Sequence, residues 1–141
     1  MSTIKPEASL YKRLKENLPN SHITRLESRV GLGVPDCLIA LGPQQAKFVM
    51  VELKVVKRGR KVNLSPHQIA FHLKHADMKA PTFILVQYHP LGTASSRNAE
   101  LRLYRGEQAG DLALVGIDIE PAWACNLAQM QWHMLRLKLL K

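Results

Sequence analysis

The stretch Lys47 to Val56, KFVMVELKVV, constrains this chain more than any other part of it. Beyond Lys47 it is apolar except for Glu52 and Lys54. Its density of β-branched residues predicts a strand. Strand alternation then sets Phe48, Met50, Glu52 and Lys54 on one face and Val49, Val51, Leu53 and Val55 on the other. A carboxylate and an ammonium inside so apolar a strand are unfavourable unless they are partnered or solvated. The run Cys37 to Leu41, CLIAL, precedes it, and Gly42-Pro43-Gln44-Gln45 between the two is turn punctuation, so the pair is expected to be a hairpin. Antiparallel partners share a nearly constant index sum, which brings Asp36 opposite Val51 or Glu52.

Elements on either side complete a mixed α/β pattern. Leu10, Leu14 and Leu18 recur at helical spacing from about Pro6, and Pro19 stops the run. ITRLES is expected as a strand, with Leu26 and Val30 on one side and Arg25, Glu27 and Arg29 on the other. After the hairpin, Ser65-Pro66 is a strong helix start. That helix is expected to run through Ile69, Leu73 and Ala76 to about Met78, with Gln68, His72, His75 and Lys79 as a polar stripe. TFILVQY is expected as a buried strand, LRLYR and LALVGI as two more, and a final helix is expected from Pro121. That last helix would carry Trp123, Leu127, Met130, Met134 and Leu137 on one stripe. The 141 residues suit one domain spanning 1–141, and a chain of this length buries about 68–70% of its unfolded surface without staples.

Two carboxylates and an ammonium converging at one end of a sheet suit a hard divalent cation. Oxygens of Asp36 and Glu52, the Leu53 carbonyl and waters would fill a Mg²⁺ shell. The charge balance points to a polyanion, because 20 Lys+Arg against 11 Asp+Glu leave +9. The positive charge is uneven. Lys47 to Lys79 holds eight Lys/Arg against Glu52 and Asp77, whereas Glu100 to Glu120 holds five acids and two arginines. The basic loop Lys57-Arg58-Gly59-Arg60-Lys61 is expected to be flexible and to follow a DNA backbone without reading sequence. Cys37 and Cys125 are too far apart for a disulfide framework, and His72 and His75 lack the matching clusters of a zinc site. No run approaches a membrane span and the first residues are polar, so a cytosolic protein is expected.

GVPDCLIAL, VELK and the following LSPHQ resemble the PD-(D/E)xK nuclease superfamily in its E-x-K form. The closest resemblance is to virus-type replication-repair nuclease domains, often phage-encoded, and to archaeal Holliday-junction resolvases. It covers about Ile23 to Tyr88 plus the leading helix. It implies a restriction-endonuclease-like core of αβββαβ order, a Mg²⁺- or Mn²⁺-dependent endodeoxyribonuclease, and hydrolysis to a 5′-phosphate and a 3′-hydroxyl. By motif position Asp36 and Glu52 would be metal ligands with the Leu53 carbonyl, Lys54 the catalytic lysine, and Gln68 the glutamine early in the following helix. Branched DNA such as a Holliday junction is the implied substrate, and a homodimer the implied assembly. The alternatives are a less selective duplex nuclease and a DNA-binding module that keeps the fold without cutting.

The resemblance also implies another acid before the Pro-Asp element. Glu27 is favoured, since RLESRVGLGVPD looks like phage relatives with an acid there; Glu7, at the place used by archaeal resolvases, and Glu16 are the alternatives. Gln68 is also the third helical residue of a capping box begun by Ser65. Arg25, Arg29, Lys57, Arg58, Arg60, Lys61 and His72 are the candidate DNA contacts. The C-terminal WACNLAQMQWHMLRLKLL suits either a dimer interface or packing on the chain's own sheet.

Overall fold

In the computed structural model, residues 6–26, 31–92 and 98–141 are described. The elements run α1 (Pro6–Asn17), β1 (Ser21–Arg25), β2 (Cys37–Leu41), β3 (Lys47–Val56), α2 (Pro66–Asp77), β4 (Thr82–Tyr88), β5 (Glu100–Arg105), α3 (Ala109–Val115), β6 (Trp123–Asn126) and α4 (Trp132–Leu140). The strands form one open mixed sheet in the order β1-β2-β3-β4-β5-β6. Only β3 and β4 are parallel, and α2 makes the crossover between them. The chain is thus α/β, a six-stranded sheet flanked by helices, and its first six elements follow the expected helix, three strands, helix, strand.

Alternation along the strands splits the interior into two cores. Val49, Val51, Leu53, Phe83 and Leu85 pack with Leu10 and Leu14 of α1 and Leu135 and Leu139 of α4. Ile84, Val86 and Tyr88 face the other way, toward Val62 and toward Ala109 and Leu112 of α3. Every residue of β4 is buried, as a central strand covered on both faces must be. Burying a leucine such as Leu14 contributes about 1.5–3 kcal/mol, and its truncation to Ala would cost about 2–5 kcal/mol. Glu52 and Lys54 fall on the α2 face of β3, as alternation requires.

Three expectations are corrected. LALVGI is not a strand: Ala109–Val115 is the helix α3, burying Ala109 and Leu112 one turn apart and leaving Leu114 exposed. A short apolar run does not by itself distinguish helix from strand. The final helix begins not at Pro121 but at Trp132, because Trp123–Asn126 pairs with β5 and covers its open edge. The five-residue stripe is therefore not one helix face. α4 buries Leu135 and Leu139, with Leu137 turned outward, while Trp123, Leu127 and Met130 reach the same core from β6 and the turn after it. Lastly, α2 is rotated from its expected orientation, with His72 fully buried and Leu73 39% exposed.

That rotation has a local cause. Gln68 is turned to β3, and His72, four residues on, shares its face. Gly106 leaves room for it: a Cβ there would lie 2.0 Å from Thr82 Oγ1. The space is taken by a contact of 2.8 Å between Thr82 Oγ1 and His72 Nδ1.

Candidate metal centre

The β2–β3 register pairs Cys37 with Val51, so Asp36 stands one step beyond, level with Glu52. Of the two expected positions, the ladder takes the second. The ladder ends here, and the Asp36 side chain continues it: the Leu53 N–H donates to Asp36 Oδ2 at 2.8 Å. On an extended strand the N–H and C=O of one residue point to the same side, so the Leu53 carbonyl also faces Asp36. The Leu26 N–H donates to the Asp36 carbonyl at 2.8 Å, which fixes the backbone of the Pro-Asp element.

Gln68 joins the rest of the constellation. Its Nε2 donates to Glu52 Oε2 at 3.3 Å, and its Oε1 accepts from Lys54 Nζ at 3.2 Å and from the Ser65 N–H at 2.9 Å. The Gln68 N–H donates in turn to Ser65 Oγ at 3.1 Å, closing the capping box. One side chain therefore caps α2 and bridges the charged pair of β3, two roles the sequence left unseparated. The loop before Asp36 is pinned to the same helix end. Gly33 has φ +83, and a Cβ on it would lie 2.3 Å from the His67 carbonyl oxygen.

Glu52 is 2% exposed, and burial first, then the adjoining Asp36, raises its pKa from 4.5 to about 9. A protonated Glu52 can donate to Asp36; ionised, it has no proton to share, and Oε1 is a buried acceptor without a partner among the described residues. Such an orphaned acceptor beside a second carboxylate is what a cation would satisfy. Among the described residues no group of three or more His, Cys, Asp or Glu side chains forms a ready-made cage. The donor set that fits a divalent ion is therefore Asp36, Glu52 and the Leu53 carbonyl, completed by water, a composition Mg²⁺ tolerates well.

These residues line a cleft of about 590 Å³ that also takes in Glu7 and Arg25. Glu7 adds to the negative potential on Glu52. It comes from the first turn of α1, which packs against β3, and nothing local to the Pro-Asp element signals its arrival. Glu16 points elsewhere, exposed and 4.0 Å from Lys12. Glu27, the acid favoured from sequence, and Arg29 lie outside the described residues. Cys37, next to Asp36, is held as a thiol, its pKa pushed up to about 12 chiefly by burial.

The candidate DNA contacts separate. Arg25 lines the cleft, its guanidinium over the Tyr11 ring. Lys61 lines an adjoining hollow of about 580 Å³ that shares Lys54 and Gln68 with the cleft. Lys57 and Arg58 are exposed. Arg60 is paired with Asp118, and its carbonyl accepts from the Ile117 N–H, so the loop expected to be flexible is anchored at that point. His72 is withdrawn as a phosphate contact. It is fully buried under α2 with its pKa lowered to about 4, chiefly by burial, and is neutral near pH 7. No helix among the described residues is long and apolar enough to cross a membrane.

Comparison with known proteins returned no matching family profile, no matching curated protein and no matching solved structure.

Proposed function

We propose that this chain is a divalent-metal-dependent endodeoxyribonuclease of the PD-(D/E)xK type, acting on branched DNA as a homodimer. The observation that carries the reading is the meeting of Asp36, Glu52, Lys54 and Gln68 in one cleft, with the Glu52 carboxylate buried and one of its oxygens without a partner among the described residues. A structural ion pair needs neither a second carboxylate nor an unsatisfied oxygen.

Mg²⁺ or Mn²⁺ would be held by Asp36, Glu52 and the Leu53 carbonyl. Lewis-acid stabilisation of phosphate charge and a lowered pKa for water are what such an ion supplies when bound. The chain's own groups do the rest. The Leu53 N–H immobilises one oxygen of Asp36 and Gln68 immobilises one oxygen of Glu52, so both carboxylates are pre-aimed. Lys54, steadied by Gln68, keeps two of its three donors for the attacking water or the non-bridging phosphate oxygens. The water oxygen forms the new bond to phosphorus, the bond from phosphorus to the 3′ oxygen breaks, and that oxygen takes up the proton the water gives up and leaves as the 3′-hydroxyl. Arg25 in the cleft and Lys61 in the adjoining hollow would hold the backbone, with the exposed Lys57 and Arg58 beyond the end of β3 as further contacts.

The test is cleavage of four-way junctions against matched linear duplex, in Mg²⁺ and in EDTA, by wild type and Glu52→Gln. Metal-dependent paired nicks on the junction, lost in the variant, are expected. Equal cutting of both substrates would make the chain a general duplex nuclease. Junction binding without cutting of either would make it a binding module.

A further inference from the structure

Not all the basic residues of the Lys47–Lys79 stretch belong to the cleft. Lys47 opens β3 and Lys79 follows α2, and both line a separate hollow of about 230 Å³ with Arg105 and Lys141. Among the described residues, Glu107 is the only acidic side chain on its wall. Among the described residues none of the four cations is in an ion pair. Lys47 has a structural task, donating to the Leu140 carbonyl at the end of α4. Lys79 stands at the carbonyl end of α2, where a cation is favourable. Arg105 lies 6.0 Å over the Phe83 ring, and no helix end accounts for its charge. Cations gathered from separate elements around one concavity, with a single acid among them, repel one another unless an anion joins them.

The place of the hollow relative to the cleft is set twice. Along β3, Lys47 and Glu52 are five residues apart, about 17 Å at strand rise. Along α2, Gln68 and the last helical residue Asp77 are nine residues apart, about 14 Å at helix rise, and Lys79 follows two residues later. The crossover therefore has the metal cleft at one end and the basic hollow at the other. On one DNA strand that span corresponds to about five base steps.

We propose that this hollow is a second phosphate-binding site, which takes the nucleic-acid backbone about five base steps from the cut. The assignment to backbone rests on the nuclease reading above; the shared chemistry, a phosphate group, does not. Lys79 and Arg105 are its ligands, and it adds affinity and register without reading bases.

The test is fluorescence anisotropy of a labelled duplex in EDTA across a salt series, with thermal shift in inorganic phosphate alongside. It compares wild type, Lys79→Gln/Arg105→Gln, and the control Lys12→Gln/Lys15→Gln, which removes the same charge from α1. The Lys79/Arg105 variant is expected to bind DNA about tenfold more weakly, with a salt slope shallower by about two, and to lose stabilisation by phosphate. The α1 control is expected to stay near wild type, and Arg105→Lys to recover most of the affinity. Equal losses in the two double variants would overturn the site in favour of net charge. Loss of the phosphate response with DNA binding intact would overturn the backbone assignment and leave a free-anion site. Wild type that binds no DNA defeats the nuclease reading itself, a failure seen in wild type rather than in the variant.

Discussion

Gln68 Nε2 lies 3.3 Å from Glu52 Oε2, and this contact ties the start of a helix to the middle of a strand sixteen residues earlier. Because the same carboxamide also accepts from Lys54 and from the Ser65 N–H, α2 cannot shift without moving Glu52 and Lys54 of β3.

The two roles of Gln68 can be separated by mutation. Ser65→Ala removes the cap and keeps the bridge, and is expected to cost about 1 kcal/mol of stability with little change in cleavage. Gln68→Ala removes the bridge and the carboxamide's half of the capping box but keeps the Ser65 Oγ bond to the residue-68 N–H, and is expected to cost about as much stability with a fall of at least tenfold in metal affinity or kcat. Urea midpoints and kcat measured on both variants check this. Equal kcat values would mean that the bridge has no catalytic effect.

Glu7 and Glu16 make a matched pair on one helix, one in the cleft and one in solvent. Glu7→Gln is expected to weaken divalent-metal binding and cleavage about tenfold, and Glu16→Gln to leave both unchanged. Calorimetric titration with Mn²⁺ decides it, and indifference to Glu7→Gln would remove that residue from the site.

The raised pKa of Glu52 sets a direction for metal-free protein. Between about 4.5 and about 9 the folded chain holds a proton that the unfolded chain has released. Stability therefore falls as pH rises through that window and is fully present below it. A divalent ion bound as proposed would displace the proton. With Mn²⁺ the fall is expected to flatten, and binding at pH 7 is expected to release close to one proton, measurable by titration in buffers of different ionisation enthalpy. Glu52→Gln should abolish both effects.

His72 works in the opposite sense. Its pKa is about 4 folded against an ordinary 6.5, so the unfolded chain takes up the proton first. Stability is fully present above about 6.5 and is lost as pH falls toward 4, by up to about 3 kcal/mol. His72→Leu should flatten that acid limb in urea unfolding. Because His72 is buried, the same variant should leave DNA affinity unchanged, unlike Lys57→Ala or Arg58→Ala.

Much of the site was legible in the sequence because its parts are local. Strand period alone put Glu52 and Lys54 on one face, hairpin register brought Asp36 opposite Val51 or Glu52, and Ser65-Pro66-His67-Gln68 carried its own capping chemistry. These outcomes depend on neighbours a few residues away or across one turn. The tertiary structure decided what depends on distant packing: that Glu7 rather than Glu16 enters the cleft, that α2 turns His72 inward and Leu73 outward, and that Trp123–Asn126 covers the edge of β5. It also drew Lys47 and Lys79 away from the Asp36–Glu52 cleft to a separate hollow beyond the other end of α2. Local preference amounts to a few tenths of a kcal/mol per residue, whereas burying a leucine or pairing an open strand edge is worth several times more. Where the two compete, the sheet and its cores prevail.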